Sequence, residues 1–212
     1  MSKAAKAKAR PKLKPKVKAK PEAKAKLKAA PKTKAKAKPK AKPKAKGKSA
    51  KRTPTVEIDI QAPLWDSQPD AARTVRAAIA AAAAHSTSGG EVSILLTDDS
   101  AVRVLNRDWR GIDKPTNVLS FPAPENISKG AAGILGDIVI AYETLMRECA
   151  DEDRDFLHHL AHLTVHGYLH LVGYDHHNNA EAAAMEALES RIMTRMKLPD
   201  PWQDPDRKNG AA

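Results

Sequence analysis

A domain mixing helix and sheet, α+β or α/β in class, is what this sequence predicts, on three observations. Charge divides the chain: residues 1–52 hold 23 basic residues and one acidic residue, net +22, while the remaining 160 carry net −10. That acidic body is long enough to bury one hydrophobic core. Within it, segments of strand period interleave with segments of helix period from one end to the other.

Each element has its own reason. Residues 1–52 are almost wholly Lys, Ala and Pro, with six prolines and no aromatic residue. Such a composition buries too little apolar surface to offset chain entropy, so a disordered tail is expected. Residues 53–60 (TPTVEIDI) alternate apolar and charged side chains, the pattern of a half-buried strand. An Ala-rich helix follows over 69–84, with Asp70 near its start and the small residues of 86–90 ending it. Residues 91–96 (EVSILL) read as a second strand. Asp98 or Asp99 can cap a helix through Trp109, with Val102, Leu105 and Trp109 on one side and Arg103, Arg107 and Arg110 on another. A short strand lies at 117–121 between Pro115 and Pro122, and a longer, more buried one at 134–141 (ILGDIVIA). Helices are expected over 142–149, 153–171 and 179–196, the last stopping before Pro199. The domain therefore spans 53–198, and the Pro- and Asp-rich residues 199–212 are expected to be a loose extension.

Composition excludes several classes. The single cysteine, Cys149, rules out an intramolecular disulfide or a multi-cysteine metal cluster, and a reducing, cytoplasmic setting is expected. No run of 18 apolar residues is present to span a membrane, and the N-terminus lacks the apolar core of a secretory signal. The tail suits non-specific, salt-sensitive contact with nucleic-acid phosphates; a passive solubilising extension is the alternative.

Chemistry concentrates in the histidines. His158, His162, His166 and His170 recur every fourth residue, a stripe on one helix face on which any adjacent pair could hold a metal. Gly173 narrows the choice, because a glycine three residues past His170 suits a left-handed helix end. The returning chain would carry His176 round to His166 and His170. Three imidazoles with an open fourth position are the arrangement of a catalytic zinc, one ion per chain. The spacing matches the zinc signature of metzincin peptidases, but their general-base glutamate is replaced here by Gly167. A peptidase is therefore not expected. His85, His158, His159 and His177 read as surface or core residues, and His162 as packing or as support for a ligand.

Residues 166–176 (HGYLHLVGYDH) resemble the HGxLHLxGYDH signature of the YbeY family of bacterial rRNA maturation factors. Residues 106–122 (NRDWRGIDKPTNVLSFP) and 135–138 (LGDI) resemble two further segments of that family, in the same order. The resemblance covers residues 55 to about 196. It implies an α+β fold with a small mixed sheet, here of four strands packed by about five helices. It also implies a single-strand-specific metallo-endoribonuclease that matures the 3′ end of small-subunit rRNA and acts in ribosome quality control. Its partners would be single-stranded rRNA and the small ribosomal subunit. By position, His166, His170 and His176 carry over as metal ligands and Arg110 as the basic active-site residue. A guanidinium there could bind two phosphate oxygens as charge develops, while zinc supplies an acidified water without a strong protein base. Asp175 could orient an imidazole or cap a turn, Asp113 shapes the loop with Pro115, and Asp137 has no assigned part. A non-catalytic assembly factor stabilised by zinc, or a zinc hydrolase acting on another substrate, are the rival readings.

Overall fold

Residues 53–124 and 133–203 are described in a computed structural model. The expected disordered tail, and residues 204–212 of the expected extension, lie outside these. The strands are β1 (Thr55–Ile60), β2 (Glu91–Thr97), β3 (Val118–Pro122) and β4 (Ile134–Ala141). The helices are α1 (Ala71–Ala83), α2 (Asp99–Arg110), α3 (Tyr142–Asp151), α4 (Phe156–Leu171) and α5 (Asn179–Arg195). The sheet runs β1-β2-β4-β3, with β1, β2 and β4 parallel and β3 antiparallel to β4. It is a mixed sheet in an α+β fold.

The central strands are apolar along most of their length because both faces are covered. On β4, Ile138 and Ile140 join Val92, Ile94 and Leu96 of β2 against α1, α4 and α5. The alternate residues Val139 and Ala141 meet Val102 of α2 and Leu119 of β3 on the other face. Helices α1 and α4 thus cover one side of the sheet with α5 packed on them, and α2 covers part of the other. One extra β4 residue stands opposite the Glu91–Val92 step, a bulge that places Gly136 at φ 137°. A side chain there would meet the Phe121 carbonyl oxygen at 2.2 Å, so only glycine suits the position.

The helix starts follow the capping logic. Asp98 accepts from the Ala101 amide, Asp155 from that of His158, and Asn178 from those of Ala180 and Glu181.

Three expectations change. Trp109 does not join Val102 and Leu105 on a covered side: it is 73 % exposed and leans edge-on against Phe121, ring centres 5.7 Å apart. The covered stripe of α2 is Val102 and Asn106, and the Asn106 amide donates to the Lys114 carbonyl at 2.7 Å. A 3-10 turn, Pro63–Ser67, buries Trp65, whose indole N–H donates to the Thr97 carbonyl at 3.0 Å. Five residues are too few to show a helical period, so periodicity passed it over. Finally, residues 199–203 are not loose. Asp200 accepts from the Ser190 hydroxyl at 2.7 Å, Pro201 from Arg154 at 3.3 Å, and the Trp202 indole donates to Glu189 at 2.8 Å.

Candidate metal centre

Helix α4 is buried on most of its circumference, lying between α1, α5 and the sheet, so its histidines sort by the direction in which each points. Gly167 faces the sheet: a Cβ there would meet Ile138 Cγ2 at 3.0 Å and the Ser120 hydroxyl at 3.1 Å. The position of the peptidase glutamate is therefore a helix–sheet contact. His166 and His170 lie half-buried on another side.

The helix ends as the glycine predicts. Gly173 has φ 94°, its amide donates to the His170 carbonyl at 3.1 Å, and the Tyr174 amide donates to the Leu169 carbonyl at 3.0 Å. This pair of bonds is a Schellman motif, which reverses the chain. His176 returns over the two helical histidines, its ring centre 5.8 Å from that of His166 and 5.1 Å from that of His170. Asp175 accepts the His176 amide at 2.8 Å and pairs with His177 at 2.6 Å, so it shapes the turn.

The ligand nitrogens of His166, His170 and His176 all lie within 4.8 Å of one another. This cluster could hold a metal ion. Two ring orientations are set from behind: His166 Nδ1 is 2.8 Å from Glu189 Oε1, and His170 Nδ1 is 3.1 Å from the Tyr174 carbonyl. A carboxylate and a carbonyl only accept, so both Nδ1 atoms carry hydrogen, and in the neutral rings both Nε2 atoms present lone pairs. Those Nε2 atoms stand 3.1 Å apart. Two nitrogens on a tetrahedral zinc would be about 3.3 Å apart, given Zn–N near 2.0–2.1 Å. Facing lone pairs repel unless a cation sits between them, so the donor set fits a metal. Burial, with the charges of His166 and His176, pulls the His170 pKa below its ordinary value, which keeps its lone pair free near neutrality.

The sequence reading missed Glu189. It is fully buried on α5, and its carboxylate meets three ring nitrogens: His166 Nδ1 at 2.8 Å, His162 Nε2 at 3.2 Å and Trp202 Nε1 at 2.8 Å. Burial alone would raise its pKa, but the hydrogen bonds and charge of His162 and His166 hold it at about 2. One signal was available: Met185, Leu188 and Ile192 mark the buried side of α5, and Glu189 is a carboxylate among them. His162 accordingly supports the cluster through Glu189, and the buried His159 bonds Glu148 at 2.8 Å.

The arginines are placed differently. Arg110 ends α2, on the sheet face opposite α4, exposed and without a hydrogen bond or ion pair among the described residues. Arg103 forms a two-point pair with Asp113 at 2.7 and 2.9 Å, and Arg107 pairs with Asp108 at 2.8 Å. Asp113 therefore does more than shape its loop. Of the three, only Arg110 keeps an uncommitted guanidinium.

Among the described residues, no helix is long and apolar enough to cross a membrane. The family model for Endoribonuclease YbeY matches residues 59–197. The chain is similar to a protein named Endoribonuclease YbeY from Bradyrhizobium sp. strain BTAi1, 51 % identical over 73 % of this chain and 95 % of the relative. A namesake from Rhodopseudomonas palustris strain BisB18 is 52 % identical over 74 % of this chain and 96 % of its own length. A solution structure from Thermotoga maritima is 20 % identical, covers 71 % of this chain and 100 % of its own, and has a TM-score of 0.40.

Proposed function

The chain belongs to the endoribonuclease YbeY family, and from that premise we propose that it is a zinc-dependent, single-strand-specific endoribonuclease maturing the 3′ end of small-subunit rRNA in the cytoplasm. The observation that carries the metal-dependent reading is the convergence of His166, His170 and His176, with two Nε2 lone pairs 3.1 Å apart. Three protein nitrogens leave a coordination position for substrate or water, as catalytic rather than structural zinc sites do. Zinc held there would polarise a phosphate oxygen and bring the pKa of water towards about 7. The chain does the rest. Glu189 and the Tyr174 carbonyl hold the imidazoles in register, and Gly167 lets α4 lie close against the sheet. Arg110, with no partner to give up, is the group that meets an RNA phosphate.

Incubating metal-loaded protein with labelled single-stranded RNA, with and without a chelator, tests this reading. Cleavage that stops on chelation and returns with zinc is expected. A metal-loaded protein that binds the small subunit but cuts no RNA would instead be the non-catalytic assembly factor.

Arg110→Lys is expected to keep fold and metal content while losing about 10-fold or more in kcat/KM. An ammonium cannot make the two-point contact of a guanidinium. Wild-type cleavage by the lysine variant would remove Arg110 from the mechanism.

The tail supplies what the body lacks. A domain of net −10 repels RNA at long range, and Asp113 and Asp108 neutralise two of the three α2 arginines. Residues 1–52, at net +22, raise the concentration of RNA near the site. Deleting them is expected to weaken RNA binding and kcat/KM at low salt, with kcat and cleavage position unchanged. The gap between the two proteins should close as salt rises, since exposed charges are screened beyond about 8 Å at physiological ionic strength. Identical salt slopes would mean that the tail is passive.

A further inference from the structure

A buried carboxylate costs several kcal/mol of lost hydration unless donors surround it. Glu189 has three, and they differ in kind. Oε1 accepts from His166 Nδ1; Oε2 accepts from His162 Nε2 and Trp202 Nε1. The Trp202 indole can only donate, and so it obliges the atom at Oε2 to be an acceptor. His162 donates from Nε2 to the carboxylate, but its other nitrogen, Nδ1, is buried with no partner, so nothing behind the ring holds that tautomer once the group at Oε2 changes. Trp202 itself lies past residue 197, where the family match ends, with its ring edge-on to that of His162, centres 5.7 Å apart.

We propose that Glu189 is the positioning residue of the metal centre, fixing His166 as the Nδ1–H tautomer so that Nε2 is the metal-binding nitrogen, with Trp202 locking the carboxylate's orientation. The proposal rests on the metal-centre reading above and adds to it the residue that sets the state of one ligand. It also gives the first residues past the family match a part in the site.

An amide at position 189 exposes the logic. In Glu189→Gln, the indole N–H requires the amide oxygen at the Oε2 position, which turns the NH2 group towards His166 Nδ1. That nitrogen must then accept, which moves the ring hydrogen to Nε2 and removes the ligand lone pair. The other orientation sets NH2 against the indole N–H at about the 2.8 Å separation now bridged by a hydrogen bond. Adding Trp202→Phe removes this conflict. The amide oxygen can then face His166 while NH2 faces His162, whose ring hydrogen moves to the unpartnered Nδ1 so that Nε2 accepts.

Zinc affinity, measured by competition with a chromophoric chelator on the full chain, is expected to fall about 10–100-fold in Glu189→Gln. The metal-free variant should keep the wild-type circular dichroism spectrum. The Glu189→Gln/Trp202→Phe protein should recover most of that loss, although it carries the greater disruption of packing. A merely structural glutamate predicts the reverse order, with the double variant worse, and that order overturns the proposal. So does wild-type affinity in Glu189→Gln alone. Should the variants fail to fold, long-range 1H–15N spectra of zinc-loaded wild-type protein still decide. His166 is expected to show a protonated Nδ1 and a metal-bound Nε2, and a metal-bound Nδ1 overturns the assignment. A wild-type protein that takes up no metal ends the metal-centre reading, and this proposal with it. Metal uptake with unchanged affinity in Glu189→Gln ends this proposal alone.

Discussion

His170→Ala protein is expected to purify without zinc and to cleave single-stranded RNA at no detectable rate. Its imidazole lies close to both of the others, with Nε2 3.1 Å from that of His166 and its ring centre 5.1 Å from that of His176. Removing it leaves two nitrogens, too few to hold zinc at a useful affinity. His166→Ala and His176→Ala should behave alike, because metal and activity depend on the three as one unit. His158→Ala and His177→Ala are the controls. His158 lies 3.8 Å from Asp155 and His177 pairs with Asp175, so neither loss should reduce metal content by more than about twofold. Metal content by elemental analysis, beside an RNA cleavage assay, checks the set. Full zinc occupancy in His176→Ala would remove that residue from the centre.

The second large effect is on stability. Gly167→Glu restores on paper the general base of a peptidase zinc signature, yet it is expected to unfold the domain rather than create a protease. The first carbon of the new side chain would already lie 3.0–3.2 Å from Ile138 and Ser120. Forcing methylenes into that contact costs about 1–3 kcal/mol. Burying an unpaired carboxylate against Ile138 adds about 3 kcal/mol more. A gain of about 1 kcal/mol in helix propensity over glycine does not offset this. Urea denaturation should show a loss of about 3–5 kcal/mol, or no cooperative transition at all. A stably folded Gly167→Glu protein would mean that α4 can draw back from the sheet.

Periodicity and composition reached far along this chain. Among the described residues, the four strands and five α-helices stand within a few residues of where alternation, capping aspartates and proline breaks place them, and β4 spans the residues expected. Such elements are decided locally, by backbone preferences and by which side chains share a face. The three-histidine cluster was legible for the same reason, since i, i+4 spacing and a helix-ending glycine are local geometry. Resemblance, not periodicity, supplied the mixed sheet and the RNA.

What lay beyond the sequence is what depends on partners distant along the chain. The α2 face with Val102 and Leu105 extended on paper to Trp109, but α2 covers only part of its side of the sheet, so Trp109 stays exposed. Three arginines on one helix suggested a basic surface. Asp113 and Asp108 took two of them, and which cation finds an acid is settled by how a loop returns. Pro199 looked like the end of the domain, yet Asp200 and Trp202 are bonded to α5 and Pro201 to Arg154 in the turn before α4. Glu189 makes the point most sharply. Its sequence neighbours mark it only as a carboxylate on an apolar helix side, and its importance comes from His162, His166 and Trp202, which are 27, 23 and 13 residues away. The sequence alone determined which residues could bind a metal. The tertiary structure decided which ring nitrogen His166 and His170 offer, because a tautomer is set by the group behind the ring, and folding alone chooses that group.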